Sequence, residues 1–138
     1  MSAYASGGRR YAAVTAPVGY VFTAPFAGTV QIQLYQFIDG EVRVGSNVPS
    51  LPYFPYVTLA SSDRRLVLRP GALDRDTQLM AESGAQVAAG ASLFKTIGDG
   101  ASSWSTFYDR GVTAGVIASL VAVPGEAELD ALALFDSR

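Results

Sequence analysis

The chain has 138 residues, 49% hydrophobic and 16% charged, with a net charge of −2. That is one domain's length with enough apolar material for a core, and it argues against a disordered chain and against a basic nucleic-acid binder. There is no histidine, no cysteine and one lysine, Lys95, so the usual general base, the strongest side-chain nucleophile and any disulfide are missing.

Residues 1–12 are mostly small, with Tyr4 and Tyr11 as the bulky groups and Gly7-Gly8 between them. This reads as a flexible N-terminal arm ahead of a single β-rich domain, 13–138. No apolar segment here resembles a secretory leader, and no run in the chain approaches the ~20 residues of a membrane span. The pairs Arg9-Arg10 and Arg64-Arg65 read as solvated arm and turn residues.

From Val14 onward the pattern is β. Residues 29–37 alternate, with Val30, Ile32 and Leu34 on one face and Gln31 and Gln33 on the other. Asp39-Gly40 is a hairpin turn signal, and Glu41-Val42-Arg43-Val44 is the returning strand. Gly45-Ser46-Asn47 breaks it. Residues 48–56 then hold Pro49, Pro52 and Pro55 among Leu51, Tyr53, Phe54 and Tyr56. Proline cannot donate to a ladder, so this segment is expected to be extended, outside a central strand, and suited to docking.

Residues 56–60 and 66–69 bracket Ser61-Ser62-Asp63-Arg64, a second hairpin ended by Pro70-Gly71. Residues 72–85 read as irregular, 86–97 as short strands broken by Gly90, and 98–103 as a loop. Residues 104–108 form an aromatic run and 111–123 an apolar strand, followed by the turn Pro124-Gly125. Residues 128–136 place Leu129, Ala131, Ala133 and Phe135 on one strand face, which makes them a hairpin partner for 112–123; a helix gives only a partial stripe. Short strands with turns at near-regular spacing define an all-β barrel or sandwich.

No constellation reads as catalytic. Asp74-Arg75-Asp76 lacks further acidic residues at cation-loop spacing and reads as a solvated loop. Glu126, Glu128 and Asp130 could serve as paired carboxylates, but Trp104 is the one tryptophan available for a sugar cleft. Ser61-Ser62 and Ser102-Ser103 have no activating base. No enzyme activity, metal or cofactor is therefore expected.

Two local resemblances bear on function. Ala24-Pro25-Phe26-Ala27-Gly28-Thr29-Val30 resembles the strand start of biotinyl/lipoyl half-barrels. Ser83-Gly84-Ala85-Gln86-Val87-Ala88-Ala89-Gly90-Ala91-Ser92-Leu93 resembles their closing segment. Where that family presents its modified lysine, in Ser62-Asp63-Arg64-Arg65, this chain has Arg64. The resemblance implies a fold element without the carrier function. The second resemblance is to lambda-type phage head decoration proteins, through Ser61-Ser62-Asp63-Arg64-Arg65-Leu66-Val67, Ala114-Gly115-Val116-Ile117-Ala118 and the small-residue arm. It implies a non-catalytic, trimeric cement protein on the virion surface. Its partner would be a major capsid protein or another shell subunit, with no nucleic acid or membrane involved. Away from the virion it would be cytoplasmic.

The expected contact residues are Tyr4 and Tyr11, anchoring an arm that adds to a partner's strand, and Leu51, Tyr53, Phe54 and Tyr56. Two alternatives stand beside this: a carrier-like or assembly module of a larger complex, testable as added mass on Lys95, and a sugar-binding tail or fibre module built on Trp104, Phe107 and Tyr108.

Overall fold

The computed structural model describes residues 2–6, 9–14, 18–98, 116–123, 125 and 127–129. Every regular element among them is a strand, as the sequence predicts: β1 (Ser2–Ser6), β2 (Arg9–Val14), β3 (Val21–Thr23), β4 (Gly28–Ile38), β5 (Glu41–Val44), β6 (Phe54–Ala60), β7 (Arg64–Pro70), β8 (Thr77–Leu79), β9 (Gln86–Val87), β10 (Ser92–Thr96), β11 (Val116–Ala122) and β12 (Glu128–Leu129). They make two sheets. The larger, curled one runs β1-β2-β11-β7-β6-β4-β5, with β9 paired to β4 and β12 to β11. The smaller is β3-β10-β8.

Period-2 alternation explains how the sheets meet. Val30 on β4, Val57 and Leu59 on β6 and Leu66 and Leu68 on β7 are buried on one face of the large sheet. They pack with Phe22, Leu93 and Phe94 of the small sheet in a single core. Phe22 and Phe94 stack at 4.9 Å, and Tyr20 meets Phe22 edge-on at 5.0 Å. One approach is too close for a side chain: a Cβ on Gly28 would lie 2.5 Å from the Ala60 carbonyl oxygen.

The Asp39-Gly40 turn forms as expected. Both residues are left-handed, with φ of 53° and 79°, and Ile38 pairs directly with Glu41. This is the two-residue geometry whose twist matches the flanking strands. The second hairpin forms where the sequence places it. The Ser61 amide donates to the Arg64 carbonyl, and its hydroxyl donates to Asp63 Oδ1 at 2.6 Å.

Four expectations are corrected. Residues 2–6 and 9–12, expected within the arm 1–12, lie in the β1–β2 hairpin, and Val14, Ala13 and Ala12 of β2 pair with Val116, Ile117 and Ala118 of β11. Pro55 lies inside β6, opposite Leu34 of β4. It is tolerated because β7 begins to pair with β6 only at Val57, leaving that side of Pro55 without a ladder. Residues 72–85 are not wholly irregular, since β8 forms there and pairs with β10. Asp76 is buried rather than solvated, between the close approaches of Gly71 and Gly98.

At the C-terminal end, β12 pairs with β11 through Leu120 opposite Leu129, so Glu128 and Leu129 are strand. The rest of 128–136, the aromatic run 104–108 with Trp104, Phe107 and Tyr108, and Glu126, Asp130, Ser102 and Ser103 lie outside the described residues.

Candidate assembly surface

β4 outlasts the core. Val30 is buried against the small sheet, while Leu34, on the same face, is 37% exposed. On the opposite face, register sets Gln31 beside Thr58, Gln33 beside Tyr56 and Tyr35 beside Phe54 across β6. Across β5 it sets Phe37 beside Val42 and Tyr35 beside Val44. That face therefore grades from polar to aromatic toward β5.

At the polar end, Gln31, Gln33, Thr58 and Tyr56 line an open groove of ≈ 530 Å³. At the aromatic end, Tyr35, Phe37, Phe54 and Tyr56 form one cluster over Ala72. Tyr35 lies 4.4 Å from Tyr56 and stacks on Phe54 at 5.5 Å, and Phe37 meets Phe54 edge-on at 5.0 Å. The Arg69 guanidinium sits 5.1 Å above the Tyr56 ring. Burial pushes the Tyr35 hydroxyl up to about 12, with the Arg69 charge opposing the shift. At the margin, Val42 is 40% and Val44 53% exposed.

The proline-rich segment is held by one buried side chain on the opposite face of β4 from this cluster. Gln36 is fully buried. Its Nε2 donates to the carbonyls of Val48 (3.0 Å) and Leu51 (3.1 Å). Its Oε1 accepts from the Ser46 hydroxyl (2.9 Å) and the Val48 amide (3.0 Å). Both donors and both acceptor sites of the amide are thereby used. Tyr53 adds a hydroxyl bond to Asn47 Oδ1 at 2.6 Å, and its carbonyl accepts from the Leu73 amide at 2.8 Å.

The six residues expected as contacts lie on β1, β2, β6 and the loop that precedes β6. Tyr4 and Tyr11 are directly opposed on β1 and β2, at one end of the large sheet's strand order. Leu51, Tyr53 and Tyr56 are half-buried near its other end, and Phe54 is only 4% exposed, inside the aromatic cluster. The remaining apolar surface there comes from Val42, Val44 and Phe37. Counting outward from the Asp39-Gly40 turn pairs Phe37 with Val42, a signal already present in the sequence.

The residues of the half-barrel resemblance do come together. The Val30 amide donates to the Ala85 carbonyl and the Gly84 amide to the Val30 carbonyl. The Ala24 amide donates to the Ala91 carbonyl and the Gly90 amide to the Ala24 carbonyl. Arg64 lies with its guanidinium 4.1 Å over the Phe26 ring, capping the core. Lys95 sits within β10, between Val21 and Gln78, rather than at a hairpin tip.

The architecture defines an all-β protein of two packed sheets, with an apolar margin beside an open edge strand. Compared with known families, with characterised proteins and with solved structures, the chain has no match.

Proposed function

We propose that this chain is a non-catalytic assembly protein that binds an ordered shell of other subunits, as a virion decoration protein does. The observation carrying this reading is the margin around β5. Val42 and Val44 extend the aromatic cluster to the surface, while Gln36, on the other face of β4, holds the loop 46–51. An apolar margin next to a polar face is the composition of a binding patch. The residue inventory also supports it, since the chain offers no imidazole or thiol for chemistry. Many copies binding only the assembled lattice would stabilise it by mass action.

The test is co-sedimentation of the full chain with particles assembled from the shell protein encoded in the same genome. Saturable binding is expected, and Val44→Asp, at a half-exposed position, should weaken it by tenfold or more while the circular dichroism spectrum is unchanged. Absence of binding, or binding indifferent to Val44→Asp, would refute the reading.

A further inference from the structure

We propose that β5 pairs antiparallel with the β5 of a second copy of this chain, Val42 opposite Val42, joining two large sheets across a two-fold axis. The argument starts from the turn. A two-residue hairpin makes Ile38 and Glu41 the hydrogen-bonded pair that closes it, and hydrogen-bonded and non-hydrogen-bonded pairs alternate from there. Glu41 and Arg43 therefore spend their amide and carbonyl groups on β4. Val42 and Val44 direct theirs to the free edge. Among the described residues β5 ends the strand order, and all four of its residues are exposed.

Those outward groups permit only registers in which Val42 and Val44 meet even-numbered partners. Two such registers are centred on the strand. One sets Arg43 against Arg43 of the second copy, bringing like charges together. The other sets Val42 against Val42 and Glu41 against Arg43, twice by symmetry. Opposite charges directly across a ladder stabilise it and like charges destabilise it, so the second register is selected.

Glu41 and Arg43 already share a face within the strand, with Arg43 Nη2 2.5 Å from Glu41 Oε2. The pairing turns this ion pair into a four-charge cluster. The opposite face carries Val42 and Val44 beside Phe37 and Tyr35, so the apolar margins of two copies become continuous. An interface of this symmetry closes at two copies rather than three. Four residues of edge fall well short of the roughly 800 Å² per partner of a standard interface, so the dimer forms at high protein concentration.

The experiment is sedimentation equilibrium of the full chain alone, without shell, at low salt. Its result is thus separate from that of shell binding. The wild type should dimerise at concentrations of roughly 10–500 μM. Glu41→Arg and Arg43→Glu should each weaken the dimer about tenfold, because each variant faces itself with like charges. An equimolar mixture of the two variants should restore dimerisation, since each then meets its opposite. A wild type that stays monomeric to about 1 mM overturns the proposal. So do single variants that associate as the wild type does, and a mixture that associates no better than the single variants alone.

Discussion

At the scale of single residues, two buried polar groups behave differently. Gln36 has every hydrogen-bonding capacity met by residues 46–51, so Gln36→Met strands backbone groups of Val48 and Leu51. We expect a loss of about 2–3 kcal/mol in urea unfolding, in line with the cost of unsatisfied buried polar groups. Tyr35 is buried too, but its hydroxyl has no well-aligned hydrogen-bond partner. Tyr35→Phe should therefore change stability at pH 7 by less than about 1 kcal/mol. Its effect belongs at high pH. The folded phenol holds its proton up to about 12, whereas the unfolded one releases it near 10.0. The unfolded state then binds fewer protons, so stability is full below pH 10 and falls as pH rises toward 12. The Phe variant should lose less stability than the wild type across that window in pH-dependent unfolding. Asp63 has the opposite sign. The Ser61 hydroxyl holds its carboxyl below the usual range, so its contribution is present above the ordinary carboxylate pKa and is lost as pH falls through the lowered value.

At the scale of elements, Gly28 limits how closely β4 can follow β6. A Cβ there meets backbone atoms of Ala60, which cannot swing aside, so Gly28→Ala should cost about 1–3 kcal/mol by thermal unfolding. Elements whose determinants are local were the legible ones. The Asp39-Gly40 turn, the 61–64 turn and the alternation of β4 all follow from neighbouring residues. The tolerance of Pro55 within β6 is not local, because it depends on where β7 starts to pair, a fact about another strand. Gln36 gave no signal, since its burial depends on a loop 10 to 15 residues further on folding back over it. Aromatic character marks cores and contacts alike, so only the register with Tyr35 assigns Phe54 to the cluster.

At the scale of the molecule, the first residues of the chain are sheet rather than appendage. β2 covers one side of β11 at Val116–Ala118, the side away from β7. A chain lacking residues 2–14 should keep its β circular dichroism but expose that edge, and it should aggregate on warming where the full chain does not, read by light scattering. The strand order carries a further consequence, for the order of folding. β5, β4, β6 and β7 all fall within residues 28–70 and neighbour one another in space, although the β5–β6 connection passes β4. β2 and β11 meet across roughly a hundred residues, so their seam carries the largest loop-closure entropy in the large sheet. In pulse-labelled hydrogen exchange, the β4–β7 amides should gain protection first and the β2–β11 amides last. Because the seam adds least before it closes, it is also where the native sheet should open first, which makes the β2–β11 pair its kinetic clasp.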